Sequence, residues 1–463
     1  MTRRLPVPPA PGPLEAYCKS FDPLFTQRNQ RDGFRRYLEG LLLPAERNKT
    51  LTALANTEPV VGAQHPHAQS LQWFLSESTW DADAVNEWRL AVLREDPVTA
   101  PTVDGVLVID EHGDRKWGSK TAHIGKQYLA NLGKIDTGVV SVTSLWADEQ
   151  LYYPLHVEPY TPAHHFAQGK ADPAFRTKLA IAVELVRRAR DAEIPFRAVV
   201  ADCFYGEDHG VQHGMRERGV GYVFGLKPSH AWWHPVDTIG SLQEVAEAAG
   251  WKGPKESGSW VQIKRSFRDG HTETWWALEV IQGPYGPEKS IRAIVVTTDP
   301  ATLPEHGTWY LTTNLPAPGS DRAEEGALPA ADLAEIVRLY GLRNWVEQSY
   351  KQTKGALGWS EYQVRSDQAI RRHWALVCCA FSFCWHHQSH PLAWGDQPGE
   401  TESAADEAPD GGKNQDRAGT ATAALLAGGP ANSPGVAGAL DHAVALLARL
   451  VEQAPTTATP GAA

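Results

Sequence analysis

The chain is poor in cysteine. It has five in 463 residues, an odd number, and no two are spaced C-x-x-C. A disulfide framework and a zinc ribbon are both excluded as organising principles. The stretch "VCCAFSFCWHH" gathers Cys378, Cys379, Cys384, His386 and His387. Its pattern is that of the apolar face of a buried helix, where a free thiol behaves as a small hydrophobe. Long apolar runs are missing too: none approaches the roughly 18 residues of a membrane span. The start, "MTRRLPVPPAPGP", lacks the apolar segment of a secretory signal. No membrane partner and a cytoplasmic location are therefore expected. Positive charge is also short, with 44 Lys and Arg against 55 Asp and Glu and a net charge of −11. That excludes a generically basic nucleic-acid binder. The shortage is uneven, because nine acidic but only three basic residues lie beyond residue 395. A locally basic groove in the remainder stays compatible with the total.

What is present is ordinary globular material, 42% hydrophobic and 21% charged, with length enough for several domains. Residues 1–13 read as disordered, and 14–98 as a helical N-terminal domain for DNA end recognition or dimerisation. From 99 to 228 the pattern gives three strands ("GVLVID", "TGVVSVTSLW", "QLYYPLHVEPY"), a helix, a strand ending "VVAD", a second helix and a strand. This is a mixed α/β layer. Residues 229–329 read as an all-β insertion and 330–390 as the second part of the core. Residues 391–435 read as an acidic low-complexity linker, and 436–463 as a C-terminal helix and tail.

Two carboxylates close buried strands: Asp110 in "VLVIDEHGD" and Asp202 in "AVVADCFYG". Such a position faces the crevice at the sheet's edge where open α/β sheets place their ligands. Either Asp taken alone reads rather as a turn or cap residue. A third carboxylate comes from "YGLRNWVEQSYKQTK", where Tyr340, Arg343, Glu347 and Lys354 fall on one stripe of a helix. Taken alone, that stripe is a solvated face with an Arg343–Glu347 pair. Taken with Asp110 and Asp202, it becomes the third wall of a site whose oxygens suit hard divalent cations.

Asp110 and Asp202 are 92 residues apart, and Glu347 follows after 145 more with β-rich sequence between. With the Tyr-x2-Arg-x3-Glu-x6-Lys signature, this resembles the DDE insertion-sequence transposases of bacteria, in the branch with a β insertion in a ribonuclease-H-like core. The resemblance runs over roughly residues 20–390, through "DEHGDRKWGSKTAHIGKQY", "YVFGLKP", "WYLTTN" and "VRSDQAIRRHWAL". It implies that Asp110, Asp202 and Glu347 hold two Mg²⁺ or Mn²⁺ ions. It also implies cleavage of phosphodiester bonds at transposon ends, joining of the freed 3′-hydroxyls to target DNA, and a homodimer pairing two ends. The implied partners are double-stranded terminal inverted repeats and target DNA, with nucleoid association when bound. Tyr340, Arg343 and Lys354 would grip phosphates, and Trp309 would stack a displaced base. Lys116, Lys120, Lys126, Arg365 and Arg371, with Arg372 beside it, are further candidate DNA contacts. The chain departs from many relatives in having Asp110-Glu111-His112-Gly113 where Asp-Asp-Thr-Gly is usual, and in Cys203 after the second Asp. A DNA-binding regulator that does not cut, and a nuclease for RNA or branched DNA, are the competing readings.

Overall fold

The computed structural model describes residues 12–43, 47–233, 239–267, 271–280 and 291–389. The expected acidic linker, C-terminal helix and residues 1–11 of the expected N-terminal tail lie outside those residues, while its last two, Gly12 and Pro13, open α1. In chain order the helices are α1 (Gly12–Ser20), α2 (Arg28–Leu42), α3 (Leu51–Leu54), α4 (Pro66–Ser76) and α5 (Ala82–Glu95). Then come β1 (Val106–Arg115), β2 (Gly125–Leu129), β3 (Lys134–Ala147), β4 (Tyr152–Tyr160), α6 (Lys178–Asp191), β5 (Ala198–Ala201), α7 (Cys203–Gly206), α8 (His209–Glu217) and β6 (Tyr222–Leu226). The remaining strands are β7 (Ala231–Trp233), β8 (Ile239–Ser241), β9 (Val261–Ser266), β10 (Thr272–Val280), β11 (Arg292–Thr297) and β12 (Thr308–Thr313). The remaining helices are α9 (Leu242–Glu247), α10 (Asp321–Glu324), α11 (Leu333–Gly341), α12 (Trp345–Gly355) and α13 (Asp367–Ser389).

One sheet organises the molecule. Its order is β4-β3-β1-β5-β6-β12-β11-β10-β9, with β2 hydrogen-bonded to the outer end of β3. β1, β5 and β6 run parallel, and their neighbours pair antiparallel. The parallel strands are buried on both faces, which is why "VLVI" and "AVVA" read as continuous apolar runs. This is the expected ribonuclease-H-like mixed sheet flanked by helices.

Two features show how the expected segments join the core. The strands of the 229–329 region do not stand apart: β12 pairs on β6 and carries β11, β10 and β9 onward, extending the core sheet. The edge strand β6 had free backbone groups to satisfy, and β12 covers them. Nor do the N-terminal helices form a core of their own. Phe34, Tyr37, Phe74 and Leu90 share one apolar cluster with the sheet and with α13. Arg89 of α5 is fully buried and donates to Ser382 Oγ on α13 (2.9 Å) and to the Leu155 carbonyl on β4 (2.9 Å). Tyr37 Oη lies 2.8 Å from His373 Nδ1 on α13, and His373 is held neutral by burial, its pKa lowered to about 4.

Candidate active site

β1 does not end at Asp110, as the apolar run suggested; it continues to Arg115. What ends there is its pairing on one side. The parallel ladder with β5 stops at Val108–Val200, and β5 turns at Asp202 into α7. Past Val108 the flank of β1 is open to whatever packs beside it. The segment from α11 to α12 fills that opening. Tyr340 lies in α11, Arg343 in a 3₁₀ turn (Leu342–Asn344), and Glu347 and Lys354 in α12. The stripe therefore crosses three helical pieces rather than one helix.

α12 is seated by its opposite face. Trp345 stacks on Tyr152 of β4 with ring centroids 4.6 Å apart, and Tyr152 Oη donates to Gln352 Oε1 (2.9 Å). Tyr350 reaches the other way. Its hydroxyl bonds the Thr143 hydroxyl, and its ring lies 4.6 Å from that of His112. Thr143 is the antiparallel neighbour of Asp110, so Tyr350 sets the register of Glu347 against β1. Sequence reasoning passed over Tyr350, although it stands three residues after Glu347 in the stretch already singled out.

At the centre, Arg343 Nη2 is 3.3 Å from Asp110 Oδ2 and 3.9 Å from Asp202 Oδ2. One guanidinium thus bridges the two acids. Asp202 does both things that its sequence position allowed. Its Oδ1 caps α7 by accepting the Phe204 N–H (3.0 Å), while its other oxygen faces Arg343. Burial pushes the Asp110 carboxyl up to about 7. The charges of Asp202 and Glu347 push it the same way, and Arg343 opposes them. Arg343 holds its proton more tightly than usual: burial works against its charge, and the surrounding acids outweigh it. The Tyr340 hydroxyl is raised to about 12, chiefly by burial. Burial lowers Lys354, with Asp114 and Glu347 opposing.

The three carboxylates are not all gathered. Among the described residues no group of three His, Cys, Asp or Glu side chains converges closely enough to hold a metal ion. Asp110 and Asp202 meet on Arg343, while Glu347 stays exposed. The reason is electrostatic. Three anions need a cation among them, and the single guanidinium serves two. The donor set nonetheless fits a hard divalent ion: all-oxygen, anionic, and short of positive charge by the measure of Asp110.

Two glycines let this centre close, and neither was singled out from the sequence. A Cβ on Gly225 of β6 would come within 2.7 Å of the Tyr340 hydroxyl and 3.1 Å of the Cys203 nitrogen. A Cβ on Gly206 would meet the Gly225 carbonyl oxygen at 1.9 Å. "YVFGL" signals a glycine in a buried strand, which marks a close approach.

The outer candidates divide. Lys120, Lys126 and Arg365 are exposed, as DNA contacts must be. Lys116 is not available: its ammonium donates to the carbonyls of Ser360 (2.8 Å) and Tyr362 (3.0 Å) and lies over the Tyr362 ring. Arg371 is engaged by Glu158 (2.8 Å) and Asp367 (2.7 Å). Arg372 is buried and donates to the carbonyls of Leu75, Ser78 and Trp80. These three cations hold the fold, because long runs such as "IRRHW" spend both faces on packing. Trp309 is half-buried beside Tyr340, with ring centroids 5.2 Å apart. Trp275 (4.5 Å) and the Arg265 guanidinium (4.7 Å) also contact its ring. His112 and Glu111, the departures from the usual motif, pair with Asp114 (3.0 Å) and Lys178 (2.8 Å).

A family model described as DDE superfamily endonuclease matches residues 20–274, more than half of the chain. The chain belongs to the DDE superfamily endonucleases. The expected family is thereby borne out. The match takes in Asp110 and Asp202 and ends before Glu347. This DDE endonuclease is also 29% identical over 367 residues to a protein of Microchaete diplosiphon named as a probable transposase for insertion sequence element IS701. The alignment covers 79% of the chain and 85% of that relative. No helix among the described residues is long and apolar enough to cross a membrane.

Proposed function

We propose that this DDE endonuclease is a transposase. It cuts phosphodiester bonds at the ends of an insertion sequence and joins the resulting 3′-hydroxyls to target DNA, working as a homodimer on two ends. The observation that carries the reading is the Arg343 guanidinium shared by Asp110 and Asp202 at the open flank of β1. A buried acid and a half-buried one arranged around one cation are a site built to hold positive charge, and the family uses such acids for cutting DNA.

Asp110, Asp202 and Glu347 would hold Mg²⁺ or Mn²⁺, two ions per site. Bound there, the ions supply Lewis-acid stabilisation of the attacking and leaving oxygens of an in-line displacement. The chain's own residues position the DNA. Arg343, with its Nη2 on the acids, supplies the cationic charge that a phosphate oxygen would meet there. Lys354, further along α12 near Asp114 and Glu347, supplies a point charge, and the Tyr340 hydroxyl, kept protonated by its raised pKa, donates. Tyr350 and Gly225 keep this set in register.

Purified protein is mixed with linear DNA carrying the element's own terminal repeats and Mg²⁺ or Mn²⁺. Cleavage at the repeat boundary is expected. Glu347→Ala should lose cutting by about a thousandfold or more, as losing a principal electrostatic group does, while binding the repeats as before. Arg343→Ala should weaken end binding as well as cutting. Binding of the repeats by wild-type protein without any cutting would replace the proposal with the regulator reading.

A further inference from the structure

In a chain of net charge −11, residues 115–135 contain five cations (Arg115, Lys116, Lys120, Lys126 and Lys134) and no carboxylate. The structure makes this stretch a two-stranded ribbon that buries Gln127 and Leu129 on one face and leaves Lys126 and Tyr128 exposed on the other. β2 and the outer half of β3 pair antiparallel from Gly125–Gly138 to Leu129–Lys134, joined by a short 3₁₀ turn, Ala130–Leu132. Tyr128 and Ile135 are direct cross-strand partners and are 49% and 69% exposed, and Leu132 at the turn is 38% exposed. Trp117, on the approach, is 79% exposed and carries the Arg115 guanidinium 4.2 Å from its ring centroid. Lys120 and Lys126 have no carboxylate partner among the described residues, and Lys134 shares Asp136 with Arg115.

The base of the ribbon is tied down. Lys116 is bonded to the carbonyls of Ser360 and Tyr362, Ala122 N–H donates to the Arg365 carbonyl (2.8 Å), and His123 bonds Thr161 and Asp367 (both 2.7 Å). These ties also bring exposed Arg365 beside it. The result is an arm with an apolar tip and cationic flanks, entered by the chain from the end of β1, the strand that carries Asp110.

We propose that this ribbon is a second DNA-binding surface, outside the cutting site, which grips duplex DNA flanking the scissile bond. This rests on the transposase reading. Lys120, Lys126 and Lys134 bind phosphates, and the Tyr128–Leu132–Ile135 face packs into a groove. A two-stranded ribbon fits the major groove. Arg115 is five residues beyond Asp110, roughly 17 Å at ~3.4 Å per residue, which is about half a turn of duplex. Duplex DNA fits better than a second copy of the chain. Lysine is depleted from protein–protein interfaces, and four exposed apolar side chains, Trp117 included, fall short of the ~800 Å² per partner of a stable one.

The test uses full-length protein and measures affinity for the terminal-repeat duplex against salt concentration. The triple variant K120A/K126A/K134A should keep the wild-type melting temperature. It should bind at least about tenfold more weakly near 0.15 M salt. Its log K against log salt slope should fall by about two to three, since each phosphate that is no longer neutralised removes about 0.9. Tyr128→Ser with Ile135→Ser should weaken binding without changing that slope. A triple variant with wild-type affinity and slope overturns the proposal and leaves the transposase reading intact. If wild-type protein binds no duplex at all, the transposase reading falls first and this one with it. If the Tyr128/Ile135 variant instead turns a DNA-free dimer into a monomer, with DNA binding unchanged, the face is a contact between copies and the proposal is wrong.

Discussion

Asp110 is the residue on which the electrostatics of the site converge. Burial and the neighbouring acids raise its pKa to about 7 in the folded chain, far above the range of an exposed carboxylate. The folded state therefore holds a proton between roughly pH 4 and 7 that the unfolded chain has released. Its contribution to stability is highest at low pH and declines as pH rises through that window. In chelator, the melting temperature of Asp110→Asn should match wild type near pH 4 and exceed it by a growing margin up to pH 7, then level off. Thermal melts across that range check this, and a constant difference would rule it out. A divalent ion competes with the same proton. Stabilisation by added Mn²⁺ should accordingly be larger at pH 8 than at pH 6, and absent in Asp110→Asn. Burial also decided the fate of cations that look alike in the sequence. Lys116, Arg371 and Arg372 are held inside by named partners, while Lys120 and Lys126 are left outside. Nothing in the residue type separates the two groups.

Among the elements, α7 and β6 do most to bring the two aspartates and the tyrosine together. α7 lies against β6 only because Gly206 and Gly225 meet without side chains. Gly225→Ala puts a methyl between the Tyr340 hydroxyl and the backbone at Asp202 and Cys203. A cost of about 1–3 kcal/mol in denaturant unfolding is expected, the usual range for overpacking. DNA cleavage should drop by much more than the stability loss explains, since Asp202 and Tyr340 both shift. A Gly225→Ala protein that unfolds and cuts like wild type would show that the approach is looser than the structure has it. The helical stripe teaches a related point. A spacing of 3, 7 and 14 residues fits a continuous helix, yet the chain breaks into α11, a 3₁₀ turn and α12. The φ and ψ at Asn344 and Trp345 stay helical, so the side chains keep nearly the same face. The periodicity was legible and the break was not, because a 3₁₀ turn needs no distinctive residue.

For the whole molecule, the decisive fact is that the larger of two apolar clusters runs from α1 and α2 through α13 to the sheet, the smaller lying against the sheet's extension around Trp232, Leu242 and Trp276. A helical segment with its own boundaries should survive excision, but this one should not. Deleting residues 1–95 bares the face of α13 that packs Phe383 on Tyr17 and His373 on Tyr37, and strands the Ser382 hydroxyl and Leu155 carbonyl that Arg89 satisfies. The truncated chain should be insoluble or lack a cooperative melt, whereas full-length protein should show helices and sheet melting together by circular dichroism and calorimetry. A soluble, cooperatively folded fragment would restore the separate-domain reading. Likewise the β-rich region between β6 and α11 continues the sheet, so its strands and the core should lose amide protection together.

Local sequence was enough to determine a good deal about this protein. Strand and helix identities follow from apolar periodicity, which is set by side-chain geometry within a few residues. β1, β3 to β6 and β9 to β12 were all legible in this way. So were Asp110 and Asp202 beside apolar runs, and the spaced Tyr340, Arg343, Glu347 and Lys354. The β2 ribbon was not, because its exposed Tyr128, Leu132 and Ile135 break the alternation of a half-buried strand. Only the tertiary structure decided which strands share a sheet, which cations are spent on carbonyls, and which two of three acids share Arg343. Those outcomes depend on desolvation and on partners hundreds of residues away along the chain, 233 for Arg343 and Asp110 and 297 for Arg372 and the Leu75 carbonyl. No local pattern encodes a contact whose energy exists only after both surfaces have left water.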